Sequence, residues 1–555
     1  MRSLFVRLLA IPVTMIFIIV FFSRDAAAQS LTAGDVQTLI AQSVSAAVQL
    51  NRNVTVAITD REGNVLGVFV MTGANGVTQI RSVGTIGRGL EGLVVPSALA
   101  AISKAGTAAL FSTSGNAFTT RTAGFIIQEH FPPGVDFRSG GPLYGVQFSS
   151  LPCSDIKKPG LPLGLSGDPG GLPIYKSGIA VGGIGIEADG LYAVDRDPSD
   201  FDLPDEEVIA ASGVRGFEAP ALIRGDNILV DGIRLPYTNV ASVIAPTTIP
   251  FPTLPGAVLA SFPIRGGQPS AFAPAVVGGI NGQASPRFFP FAGSAFPTPG
   301  AALTALDVTQ IISQAAQTSN ITRAAIRQPL GSNARVSIAV VDTEGNVLGI
   351  FTTADAPLFG FDVAVQKARS SVFFSRSDTT SQLIGAGLSQ YATRAAADNV
   401  PLNGTIAYSA RAIGFLHRPL FPDGINDTLA GPFSTSLGDW SPFNVGLQLD
   451  LVQTRLLARP AFCSSPQLMS RPQCTCSSIQ IVRNGLQIFA GGIPLYRGTT
   501  LVGGIGISGD GIDQDDFIAA GGSTGFAPPA AIRADQLLIR GVRLPFVKFP
   551  RSPTL

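Results

Sequence analysis

The chain is poor in the residues that most often carry metal or nucleophilic chemistry: its 555 residues include 2 His, 4 Cys, 4 Met and 1 Trp. Charged residues make up 14 %, against about 25 % in ordinary soluble domains. The 38 Lys and Arg nearly cancel the 37 Asp and Glu, and no sustained basic run is present. A phosphate backbone needs such a patch, so nucleic acid is excluded as a partner. His130 and His417 stand alone in their parts of the chain, and no Ser-His-Asp or Cys-His set emerges. Beyond residue 28 no segment sustains the roughly 20 apolar residues of a spanning helix without Gly, Pro or charge.

Cys153, Cys463, Cys474 and Cys476 are even in number, which allows three pairings in an exported chain. Cys474-Thr475-Cys476 is too tight for C-x-x-C metal spacing, and no His lies nearby. A structural bridge is expected, with Cys463 to Cys474 or Cys476 the favoured pairing. The first 28 residues read as a signal peptide: Arg2 and Arg7 precede an apolar stretch from Leu8 to Phe22, and Ala26-Ala27-Ala28 offers a cleavage site before Gln29. The expected location is periplasmic or extracellular. A membrane anchor is the rival reading, but the apolar run is short for it.

What the chain does have is repetition. VTVAITDREGNVLGVF (54–69) returns as VSIAVVDTEGNVLGIF (336–351), with ten of sixteen positions identical. GGLPIYKSGIAVGGIGI (170–186) returns as GGIPLYRGTTLVGGIGI (491–507), and RGDNILVDGIRLP (224–236) as RADQLLIRGVRLP (533–545). The period far exceeds that of a solenoid, so each copy needs its own core. We expect domains at 29–245 and 301–555, joined by a Pro-, Ala-, Gly- and Phe-rich linker at 246–300 that partly packs on them.

Each copy opens with a helical stripe (Val36, Leu39, Ile40, Val44; Val308, Ile311, Ile312, Ala315). A hairpin follows around Glu62-Gly63-Asn64 or Glu344-Gly345-Asn346. A second helix carries Lys104-Ala105 or Lys367-Ala368. Inserts of about 60 and about 115 residues come next, sharing Gly124-Phe125 and Gly414-Phe415, and long irregular stretches of that kind are usually binding loops or covers. A Gly-rich hairpin and an acidic-started helix close each copy.

That order of elements, with Asp60 to Gly63 and Asp342 to Gly345, Met71-Thr72-Gly73-Ala74 and Ala354-Asp355-Ala356-Pro357, Lys367-Ala368-Arg369, and Ser508-Gly509 with Gln514-Asp515, resembles the GlcG/HbpS-like family of haem-binding or haem-degrading domains. The resemblance implies an α/β fold of two profilin-like copies, each an antiparallel five-stranded sheet flanked by helices, carrying long irregular insertions. It also implies haem or another tetrapyrrole as ligand, and homo-oligomers.

Iron ligands and propionate partners then define the candidates. His130 and His417 are the available imidazoles, although His417 aligns with Ile127 when Gly124 is set on Gly414. Lys104, Lys367 and Arg369 on the second helix could meet an anion, or the lysines could be solvated on an outer face. Met71 faces Thr353 in the repeat and reads as core. Asp60 and Asp342 should organise their turns through backbone N–H groups. Residues 504–509 satisfy GxGxxG formally, but within a strand, where a dinucleotide site needs a helix start. Gly182, Gly183, Gly503 and Gly504 instead suggest close approach of another strand or of a flat ligand. The carboxylates from Asp195 to Glu207, echoed at Asp510 to Asp516, suit a helix N-terminus better than a Ca²⁺ site. An exported haem-binding protein is the leading expectation, with a non-catalytic envelope scaffold and a haem-degrading enzyme as alternatives; the repeat comparison supplies no catalytic set for the last.

Overall fold

A computed structural model describes residues 30–157, 159–296, 302–457 and 475–555. The expected signal peptide, Cys463 and Cys474 lie outside the described residues. The principal elements of the first half are α1 (Ala33–Gln49), β1 (Thr55–Asp60), β2 (Val65–Met71), α2 (Ser97–Phe111), β3 (Gly171–Lys176), β4 (Ile179–Glu187) and α3 (Asp205–Gly213). The stretch between the halves adds β5 (Gly256–Val258), β6 (Ala273–Val277) and β7 (Ile280–Ala284). The second half has α4 (Ala305–Ile321), β8 (Val336–Val341), β9 (Val347–Thr353), α5 (Gly360–Phe374), β10 (Gly492–Arg497), β11 (Thr500–Gly509) and α6 (Ile512–Gly522).

Both first helices start on a capping box. Thr32 Oγ1 accepts from the Asp35 N–H while Asp35 accepts the Thr32 N–H, and Thr304 with Asp307 does the same. Both hairpin turns are tied by one carboxylate: Asp60 Oδ1 accepts from the N–H groups of Glu62 and Asn64, and Asp342 Oδ1 from those of Glu344 and Asn346. The turn role expected of these aspartates is the one they have.

The fold is a mixed α/β arrangement of antiparallel sheets and helices. Strand order is β5-β2-β1-β4-β3 in the first sheet and β6-β7-β9-β8-β11-β10 in the second, antiparallel throughout. Irregularities fall at matching places, between Ile58 and Thr59 and between Val340 and Val341. Side chains alternate across β1: Val56 and Ile58 pack with α1 and α3, while Ala57 meets Ala101 and Ala105 of α2 on the other face. Residues 246–300 do more than link. β5 lies on β2 (Gly256 beside Met71) and β7 on β9 (Gly282 beside Thr353), so the second sheet has six strands where five were expected. These additions cover sheet edges whose backbone groups would otherwise lack ladder partners.

The inserts build a seam between the halves. Phe111 at the end of α2 stacks on Phe359, centroids 4.4 Å apart, and Trp440 Nε1 donates to Tyr144 Oη at 2.7 Å. Asp155 receives Arg369 through two bonds of 2.8 Å, and Asp362 accepts from Ser150 N and Ser154 Oγ. One apolar cluster therefore runs from the first insert into the second core. The disulfide crosses the same seam: Cys153 bonds Cys476, 323 residues apart in sequence. This corrects the expected pairing of Cys463 with Cys476. The partner is a matching position, since Cys153-Ser154-Asp155-Ile156 and Cys476-Ser477-Ser478-Ile479 align within the inserts.

Closing so long a loop restricts the unfolded chain, so Cys153→Ala with Cys476→Ala should lower stability by about 2–5 kcal/mol in urea unfolding. The halves should stay packed, read as an unchanged hydrodynamic radius in gel filtration, because the Arg369–Asp155 pair and the apolar seam stay in place.

Candidate functional site

The Gly-rich strand sets the geometry around the second helix. A Cβ at Gly183 would lie 2.0 Å from Ala105 O and one at Gly185 2.0 Å from Ala101 O; at Gly504 and Gly506 the distances to Ala368 O and Ala364 O are 2.7 and 1.9 Å. The backbone that approaches is a helix, α2 or α5, and it fills the place a flat ligand would need. Gly182 and Gly503 face the neighbouring strand instead, with Thr59 O and Val341 O at 2.1 and 2.3 Å from the added Cβ.

Pressed onto the sheet, Lys104 and Lys367 are fully buried, which overturns the expectation of a solvated outer face. Lys104 Nζ lies 2.7 Å from Asp168, 3.1 Å from Glu187 and 2.5 Å from Glu206. Burial alone would lower its pKa, but the three carboxylates outweigh it and hold it well above the usual lysine value. Burial in turn pushes Asp168 and Glu206 well above the usual carboxylate range, against the pull of Lys104. These three acids could cage a metal ion by their spacing, and the ammonium of Lys104 occupies that position.

In the second half Phe489 stands where Asp168 does, and Ser508 where Glu187 does. Lys367 Nζ keeps one carboxylate, Asp515 at 2.8 Å, stands over the Phe489 ring 4.4 Å from its centroid, and donates to Ile507 O. Burial now wins and lowers the Lys367 pKa, while burial raises Asp515 to about 7. Arg369 is likewise consumed internally, by Asp155, Asn484 and Gly345 O. All three proposed cations are thus neutralised within the chain.

The acidic stretches do open helices, α3 and α6. They also hold two arginines that the sequence reading missed. Arg121 binds Asp195, Asp202 and Glu207; Arg411 binds Asp513 and Asp516. The shared string Arg-x-x-Gly-Phe at 121–125 and 411–415 would have revealed them.

Neither histidine is among the residues lining the two cavities described below. His130 Nδ1 bonds Arg138 O at 2.6 Å. His417 is fully buried between Phe374 and Phe433, donates from Nδ1 to Ile413 O at 2.7 Å, and leaves Nε2 without a partner. Burial pushes its pKa down to about 3, so the ring is neutral.

Two adjoining cavities open along the seam. The larger, about 770 Å³, has walls of Phe111, Phe118, Leu143, Leu235, Ile326 and Phe359, with the exposed cations Arg323, Lys548 and Arg551 among its lining residues. The smaller, about 540 Å³, combines Phe131, Phe415 and Phe489 with Arg138, Arg411 and Arg418. They share Pro142, Asp231, Ile512 and Lys548, and both halves contribute to each. An apolar body with acidic groups fits such walls by size and polarity.

One wall of each cavity falls in a segment that matches a known family. Residues 457–523 match a family described as haem degrading protein HbpS-like. Among solved structures, the PduOC–heme complex is similar at 21% identity and TM-score 0.22, covering 35% of this chain and 98% of that one. The Klebsiella pneumoniae protein ORFY is similar at 18% identity and TM-score 0.21, covering 35% and 93%. No curated protein matches the chain. The HbpS-like segment supplies Ile488 to Ala490 to the smaller cavity, and Gly509 and Gly511 to Gln514 to the larger.

Two outcomes test these electrostatics. Lys104→Met leaves Asp168, Glu187 and Glu206 without their counter-charge and should cost about 3–5 kcal/mol in urea unfolding at neutral pH. For His417 the unfolded ring takes up a proton near 6.5 that the folded ring refuses until about 3, so its stability contribution is full above 6.5 and lost as pH falls. At about pH 4.5 the loss should be about 3 kcal/mol relative to neutral pH, and His417→Phe should remove that part of the pH dependence.

Proposed function

We propose that the protein binds haem or a related tetrapyrrole in the seam between its two halves. The observation that carries this reading is the pair of adjoining cavities, apolar along the walls and bordered by cations, one side of which is built by the HbpS-like segment. Phe and Leu side chains there would cover the macrocycle faces, and Arg323 and Arg551 would receive the propionates, Lys548 being paired with Asp513 at 2.9 Å. The ring and its acids suit these residues. The iron does not find a usual partner, because among the described residues no His, Cys, Met or Tyr lines either cavity.

We further read the halves as two profilin-like copies of one domain, and the chain as exported after loss of residues 1–28. The matched sheet irregularities, the paired capping boxes and the Cys153–Cys476 bond between like positions support the first. The Arg2 to Ala28 pattern supports the second.

Haemin titrated into the mature protein should give a Soret shift that saturates near one haemin per chain. Folded protein that leaves the spectrum unchanged at near-stoichiometric haemin rules the reading out.

A further inference from the structure

The smaller cavity is lined by a buried cation with two donors that the rest of the chain leaves unbonded. Arg418 is buried, 8% exposed, with its guanidinium 4.3 Å above the Tyr144 ring. Its Nε and Nη1 make no hydrogen bond. The nearest carboxylate, Asp423, stands 3.6 Å from Nε, and its other oxygen accepts the Gly140 N–H. Arg411 nearby differs, being held at short range by Asp513 and Asp516. A buried guanidinium with open donors carries a desolvation cost that an anion would relieve.

The first half has no equivalent. Gln128 stands at the matching position and donates its amide to Gly124 O and Asp195 O. Among the described residues that line the two cavities, Arg418 is the cation with buried donors left unbonded. It sits beside an apolar cavity of about 770 Å³, and neither cavity shows a usual iron ligand among the described residues.

Building on the tetrapyrrole reading, we propose that the seam recognises the ring and its carboxylates rather than the metal, with Arg418 as the buried carboxylate anchor. The ligand class is a flat amphipathic di-acid, of which metal-free and iron-loaded porphyrins are equal members. Phe and Leu contacts are indifferent to what fills the ring centre, and the cations read only the acid groups.

Protoporphyrin IX, haemin and protoporphyrin IX dimethyl ester can be compared on the full chain, by porphyrin fluorescence and by competition. The expectation is one site per chain, affinities for the two acids within about threefold, and an ester at least tenfold weaker. Arg418→Gln should narrow the gap between acid and ester about threefold, with Arg323 and Arg551 holding the remainder, and Arg418→Lys should keep most of it. Haemin binding without protoporphyrin IX binding overturns this inference and leaves the haem reading standing. Binding of neither overturns both. An ester that binds as well as the acid in the wild-type chain removes the anchor, whether or not the Arg418 variants fold.

Discussion

The structure depends on the missing side chains of one strand in each sheet. Because Gly183, Gly185, Gly504 and Gly506 present no Cβ, α2 and α5 lie directly against the sheet backbone. That contact drives a lysine of each helix into the interior, where an ammonium survives only with carboxylates beside it. The last helix of each half supplies them, through Glu206 in one and Asp515 in the other. Glycine, lysine and acid are one device: fill the first and the other two lose their places.

Around that shared device the halves differ, and the difference has chemical consequences. Lys104 gathers three acids where Lys367 keeps one and a phenyl ring. Replacing Asp168 by Phe489 removes a charge and adds an apolar surface to the smaller cavity. Replacing Gln128 by Arg418 adds a cation whose donors the chain does not satisfy. The second half thus supplies both apolar wall and positive charge, and the first half closes the cleft with Phe111, Phe118 and Leu143. The proposed site would belong to the seam rather than to either half.

Much of the framework was legible because it is local. The capped helices follow from Thr32 with Asp35 and Thr304 with Asp307, and the hairpins from Asp60 and Asp342, whose partners lie within four residues. The inserts were not legible, since their long Pro- and Gly-rich stretches carry no period to follow. Lys104, Lys367 and Arg369 were noticed as cations, but their engagement by Glu206, Asp515 and Asp155 spans 102, 148 and 214 residues. Arg121 and Arg411 share a repeat position, but the acids that hold them lie 74 to 105 residues further along.

The sequence by itself determined that one framework occurs twice, with its helix starts, its turn aspartates and its glycine strand, because each rests on spacing within a few residues. Only the tertiary structure decided which charges remain available and where a ligand could enter. Burial and pairing are set by groups far apart in the chain, and folding together engages most of the cations while leaving two donors of Arg418 unbonded beside an apolar cleft.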